Sequence, residues 1–165
     1  MNSFFIWLES SAFSTWTRES PSIFAFPAIL SVHTVGMGIV AGINAMVALR
    51  ILGMAPKVPL MEMKRFFPIL WFGFWINAVS GVVLLIAYPT KALTNPMFHA
   101  KLAFIAMALV QFRYIQKYVF LDPALDLKPV PRRGRLLAGG SLACWAGVIT
   151  AGRLLAYTYH KLSSI

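Results

Sequence analysis

The chain has 165 residues, of which 59% are apolar and only 12% are charged. A soluble domain carries about twice that charged share, so the composition excludes an ordinary soluble globule and a disordered chain. We therefore predict an integral membrane protein and assign the net charge of +10 to topology and to contact with membrane lipid, not to a nucleic-acid partner.

The first 20 residues are too short and too polar to cross a membrane. Phe5, Leu8, Ala12 and Trp16 recur every three or four residues, with polar residues between them. This amphipathic pattern predicts a helix that lies on the outer membrane surface. The chain is accordingly divided into a surface segment over residues 1–20 and a membrane domain over residues 21–165.

Four apolar stretches in the second segment predict four transmembrane helices, over residues 22–51, 66–88, 96–120 and 136–159. Each is long enough, because about 20 helical residues cross the hydrocarbon core. Their continuous apolar character excludes strands, which would alternate. The connections between the stretches are short. The connection after the first stretch contains Gly53 and Pro56, which predict that the first helix ends there. The predicted fold class is therefore all-α, an integral-membrane four-helix bundle with up-down-up-down topology.

Basic residues concentrate in two of the predicted connections and set the expected orientation. By the positive-inside rule both connections are cytoplasmic, and both termini lie on the periplasmic side of a bacterial inner membrane. The residues concerned are Arg50, Lys57, Lys64, Arg65, Lys128, Arg132, Arg133 and Arg135.

With this orientation His33, His99 and His160 all fall in the outer half of the membrane. Ionisable residues inside a span indicate function, because burying them in lipid is costly. Two imidazoles on different helices are the axial ligands that a b-type haem requires. We predict His33 and His99 as these ligands and interpret His160 as an interfacial residue.

The surroundings of such a haem are also predicted from the sequence. A flat porphyrin needs small neighbouring residues, a role assigned first to Gly36 and Gly147. The spans offer further glycines for it, namely Gly38, Gly42, Gly73, Gly81 and Gly152. Lys101 and Arg153 would neutralise the propionates. The leading functional prediction is a membrane electron-transfer subunit that holds this haem near the periplasmic side. It would connect a membrane or periplasmic redox protein with the quinone pool, and no stand-alone enzyme activity is expected.

Two alternatives remain open at this stage. Met37 follows His33 by one helical turn, and thioether and imidazole together suit Cu(I), which is the basis for a copper-handling membrane protein. The other alternative is a non-catalytic accessory or assembly subunit of a larger membrane complex.

Asn44, Asn77 and Ser80 are predicted to form hydrogen bonds between helices. No Asp or Glu lies in a predicted span, which argues against a proton-coupled pump.

Several short motifs are spread along nearly the whole chain: His33-Thr34-Val35-Gly36, Leu49-Arg50-Ile51-Leu52-Gly53, Asn95-Pro96-Met97-Phe98 and Gly152-Arg153. With them the chain resembles an uncharacterised family of small bacterial four-helix inner-membrane proteins and, distantly, the CopD-type copper-resistance membrane domain. The resemblance implies four spans in a bacterial inner membrane. If that family binds haem, the matching positions here are His33, His99, Lys101 and Arg153.

Overall fold

The computed structural model describes residues 2–122, 126–127 and 129–162, and all regular structure within them is helical. Its four long helices are α3 (Phe26–Ile51), α5 (Phe67–Ala87), α7 (Pro96–Tyr118) and α8 (Arg132–Leu162). The shorter elements are α1 (Asn2–Glu9), α2 (Ala12–Glu19), α4 (Leu60–Met63), a 3-10 turn over Lys64–Phe66 and α6 (Pro89–Leu93). Helix α3 packs on α5 and α8, and α7 packs on α8.

Three helical segments are long and apolar enough to cross a membrane: Phe26–Ile51, Leu60–Ala87 and Pro96–Tyr118. The described part of the fourth long helix, α8, is not among them. Helix α8 begins at Arg132, four residues before the predicted start at residue 136. The prolines and charges of residues 122–135 predict a surface loop that includes Arg132, Arg133 and Arg135, whereas the structure places these three residues in the first turn of α8. Pro131 lies just before the helix, and a proline there readily precedes a first turn.

Helix ends follow the local sequence. A proline stands in the first turn of α3, α5 and α7, where its missing N–H costs no hydrogen bond. The Asn95 side chain accepts a bond from the Met97 N–H at 2.9 Å and caps α7. After α3, Gly53 adopts a positive φ of 103°. This left-handed conformation ends the helix and confirms the predicted stop at Gly53.

Buried positions recur every three or four residues along each long helix and give each one an inner face. In α3 these are Gly36, Val40, Asn44, Val47, Ala48 and Ile51, and in α7 they are Ala108, Phe112 and Ile115. The opposite faces are apolar as well. On α5, for example, Phe72, Trp75 and Val79 have 62 to 64% of their surface exposed.

The first 20 residues form two short helices rather than the single predicted one, because the chain breaks at Ser10 and Ser11. The Ser11 hydroxyl accepts a bond from the Ser14 N–H at 3.3 Å and caps α2. The Ser14 hydroxyl lies 3.2 Å from the Ile86 carbonyl, and the Arg18 guanidinium donates to the Ala87 carbonyl at 3.2 Å. The segment thus satisfies carbonyls at the end of α5 that have no partner inside that helix.

Asp126 ties together the two connections that carry most of the basic residues. Its carboxylate accepts bonds from the N–H groups of Leu60 at 2.7 Å and Met61 at 3.1 Å. Both N–H groups belong to the first turn of α4, where intrahelical acceptors are missing. Lys128, from the same connection, lies outside the described residues.

Candidate functional site

The polar site of the helix assembly is centred on His33, at the contact between α3 and α5. Its Nδ1 lies 3.0 Å from the Asn77 carbonyl oxygen and 3.1 Å from the Ser80 hydroxyl. A carbonyl oxygen only accepts, so Nδ1 carries the proton and Nε2 is left as an acceptor. The Asn77 amide in turn donates to the His33 carbonyl at 2.8 Å. The predicted interhelical bonding of Asn77 and Ser80 is confirmed.

Helix α7 contributes Lys101 to the same site. Its Nζ lies 3.4 Å from the Nε2 of His33, and the side chain is half-buried. Ammonium hydrogens are donors only, so the free Nε2 lone pair is the matching acceptor. The two ion pairs found among the described residues, Arg18–Glu9 and Arg65–Glu62, do not involve this lysine. The site therefore places a positive charge beside the acceptor nitrogen of an imidazole.

Two glycines border this pair. A Cβ added at Gly81 would lie 3.1 Å from Cε1 of the His33 ring, and one added at Gly152 would lie 3.9 Å from Cε of Lys101. The absence of side chains at these positions lets the imidazole approach α5 and lets the lysine extend along α8. Small residues thus line the site, and both belong to the glycines named from the sequence, although Gly36 and Gly147 were favoured there.

His99 is not brought to His33. Its Nε2 lies 2.9 Å from the Leu93 carbonyl, and the side chain is exposed. The reason is helical geometry: residues two apart on an α-helix point about 200° apart. Lys101 occupies the inner face of α7, so His99 points away from it. The expected pairing of His33 and His99 compared only how deep the two residues lie in the membrane. It did not consider on which side of its helix each residue lies.

Gly36 and Gly147 are closely packed. A Cβ at Gly36 would lie 2.8 Å from the Asn77 backbone nitrogen, and one at Gly147 would lie 3.0 Å from the Phe104 ring. Their spaces are filled by neighbouring helices. Arg153 is exposed on α8. His160 lies in the last turns of α8, but its side chain is outside the described part of the chain.

A signal for Lys101 was present in the sequence. Lys101, Phe104, Ala108, Phe112 and Ile115 follow one another at intervals of three or four residues, and the last three are buried. That spacing puts the lysine on the face that α7 presents to the other helices.

Met37, which motivated the copper alternative, packs into the cluster formed around Val40, Leu70 and Phe112. Among the described residues no group of three or more His, Cys, Asp or Glu could hold a metal ion. Cys144 is a free, buried thiol.

The hydrogen bonding of His33 has a form that is also typical of metal-bound histidines. Metal-bound histidines characteristically donate their second ring N–H to a carbonyl or similar acceptor, which fixes the tautomer and orients the ring. The Nδ1 contacts of His33 have this form. The missing side chains at Gly81 and Gly152 accommodate the imidazole ring and the lysine chain themselves, and Lys101 supplies a cation suited to a carboxylate.

Comparisons of the chain with protein-family models, with curated proteins and with solved structures found no match.

Proposed function

We propose that the protein is a multi-pass protein of a bacterial inner membrane, with α3, α5, α7 and α8 crossing as an up-down-up-down four-helix bundle. The 31 residues of α8 span about 46 Å, which is ample length for a membrane span. Apolar faces such as that of Phe72, Trp75 and Val79 would then contact lipid instead of water. The basic connections would be cytoplasmic and both termini periplasmic.

Within this membrane domain, we propose an electron-transfer subunit that holds a b-type haem with His33 as an axial ligand, near the periplasmic side. The observation that carries the proposal is the hydrogen bonding of His33. Its Nδ1 is engaged by Asn77 and Ser80. Its Nε2, which lies 3.4 Å from the Lys101 ammonium, would be the ligating atom once that ammonium turns to a propionate. The predicted second ligand, His99, has no equivalent support, so the proposal rests on His33.

When bound, the haem would supply one-electron chemistry, and the protein would supply binding, orientation and electrostatics. Asn77 and Ser80 hold the imidazole at a fixed angle. Lys101 places a positive charge beside it, suited to a propionate carboxylate. Electrons would pass between a membrane or periplasmic redox protein and the quinone pool.

Visible absorption spectroscopy tests this function. We expect the purified wild-type protein to show a Soret band and the reduced-minus-oxidised bands of a b-type haem. His33→Ala should lose the bands, whereas the matched variant His99→Ala should keep them. A folded wild-type protein without bands, or unchanged bands in His33→Ala, would overturn the haem assignment.

A second candidate, the accessory or assembly subunit, is favoured by the packing at Gly36 and Gly147, where neighbouring groups fill the space expected for a porphyrin. Such a subunit needs no cofactor, and its inner faces serve only to hold the helices together. It predicts a colourless, folded protein that co-purifies in fixed stoichiometry with a larger membrane complex.

A further inference from the structure

A groove unrelated to His33 opens between the end of α3 and the first turns of α8. Its volume is about 660 Å³, and it is lined by Leu52, Arg132, Arg135, Leu136, Gly139 and Gly140. Two arginines stand at the start of α8, and the glycines lie four to eight residues further along. At 1.5 Å per residue the charged and glycine positions are separated by about 6–12 Å along the helix. The groove therefore has a basic end and an apolar end.

The basic end presents guanidinium donors. Arg135 uses Nε to donate to the Val130 carbonyl at 3.3 Å, so its two terminal nitrogens are not engaged by that bond. Arg132 is exposed at the first position of the helix. Neither arginine takes part in the ion pairs found among the described residues. Paired guanidinium groups bind phosphate oxygens in a geometry that lysine does not match.

The apolar end is open. A Cβ added at Gly139 would have no atom within 4 Å, so this part of α8 faces free space. Leu136 and Leu52 flank it with 66% and 41% of their surface exposed. Open space beside leucines and a glycine gives an alkyl chain a surface on which to lie.

We propose that this groove binds one anionic phospholipid, with its phosphate on Arg132 and Arg135 and an acyl chain along Gly139 and Leu136. The proposal rests on the membrane placement proposed above and is independent of haem. Charge complementarity selects the ligand, because basic pockets between helices on the cytoplasmic side of a membrane protein suit anionic headgroups. The apolar end selects a lipid over free phosphate.

Native mass spectrometry of the detergent-purified full chain tests the site, with dioleoylphosphatidylglycerol, dioleoylphosphatidylcholine and inorganic phosphate as probes. We expect phosphatidylglycerol to bind several-fold more tightly than phosphatidylcholine and inorganic phosphate not to displace it. The double variant Arg132→Gln with Arg135→Gln should weaken phosphatidylglycerol binding by about tenfold. Lys57→Gln with Arg65→Gln removes the same charge from exposed positions outside the groove and should change binding little.

A second pair of variants leaves charge untouched. Gly139→Leu fills the open end and should weaken binding, whereas Gly42→Leu, at an equally open position of α3, should not. Equal losses in both charge variants would mean general surface attraction and would overturn the site, as would full binding in Gly139→Leu or displacement by inorganic phosphate. A haem-free protein that binds the lipid as expected would refute the haem assignment and leave this site standing.

Discussion

The Nζ of Lys101 lies 3.4 Å from the Nε2 of His33, although the two residues are 68 positions apart in the chain. The contact joins the inner faces of α3 and α7 at a point where Asn77 and Ser80 of α5 already hold the imidazole. Three helices thus converge on one histidine and one cation. This convergence is the basis of the proposed function, and it makes the contribution of each partner measurable.

Lys101 should tune the redox potential of a haem bound at His33. A nearby positive charge destabilises the oxidised, more positive state, so Lys101→Gln should lower the midpoint potential by tens of millivolts. Potentiometric titration of the purified protein measures this shift. Lys91→Gln removes a cation that lies over the Tyr88 ring at 5.8 Å and should leave the potential nearly unchanged. An unchanged or raised potential in Lys101→Gln would contradict the assigned role.

Gly36 should be intolerant of any larger side chain. A Cβ there would lie 2.8 Å from the Asn77 nitrogen and 3.0 Å from the Gly73 carbonyl, so the two backbones would have to separate. Gly36→Val should lower the free energy of unfolding by roughly 1–3 kcal/mol. Thermal unfolding in detergent, followed by circular dichroism, measures it. At Gly42 a new Cβ would have no atom within 4 Å, so Gly42→Val should lower the free energy of unfolding far less. Equal losses of stability in the two variants would argue against the close approach of α3 and α5 at Gly36.

Asn44 and Ser141 should be energetically coupled. The Ser141 hydroxyl donates to Asn44 Oδ1 at 2.8 Å, and both residues are buried, at 3% and 0% exposed. A double-mutant cycle with Asn44→Ala and Ser141→Ala should give a coupling energy of roughly 0.5–1.5 kcal/mol. The exposed Thr150, which bonds to Ala146 within its own helix, is the control and should show no coupling to Asn44. A cycle that closes at zero would mean that the bond does not form.

Arg18 should hold the N-terminal segment on the end of α5. Its guanidinium donates to the Ala87 carbonyl at 3.2 Å and the Glu9 carbonyl at 2.9 Å, and it pairs with the Glu9 carboxylate. Arg18→Gln should therefore accelerate amide hydrogen exchange in α1 and α2, because the segment opens more often. Arg65→Gln breaks an exposed ion pair elsewhere and should leave that exchange unchanged. Identical exchange in wild type and Arg18→Gln would show that the contact does not anchor the segment.

The helical class and most element boundaries could be predicted from the sequence, because they depend on local signals. Gly53 ends α3, and Asn95 with Pro96 begins α7, through side-chain and backbone properties that act within a few residues. The break at Ser10 and Ser11 was missed because the amphipathic spacing continues across it. The predicted start of α8 is four residues late, because prolines and charges together indicate a loop up to Arg135, whereas the helix begins directly after Pro131.

The candidate site was predictable only in part. His33 and the polar residues Asn77 and Ser80 were identified because each is unusual in an apolar span. Lys101 was identified as a site residue but not as the partner of His33, since depth in the membrane was compared without helix face. His99 and Lys101 differ by two positions and hence by more than half a turn, and only one of them can point inward. How closely Gly36 and Gly147 approach their neighbours depends on tertiary packing that no local pattern encodes.

The most direct test of the account is the reduced-minus-oxidised absorption spectrum of the purified protein and its His33→Ala variant. Both must be shown to be folded by circular dichroism. We predict b-type haem bands in the wild-type protein that disappear in His33→Ala and persist in His99→Ala. A folded wild-type protein without these bands, or a His33→Ala variant that keeps them, would contradict the proposal that His33 binds a haem.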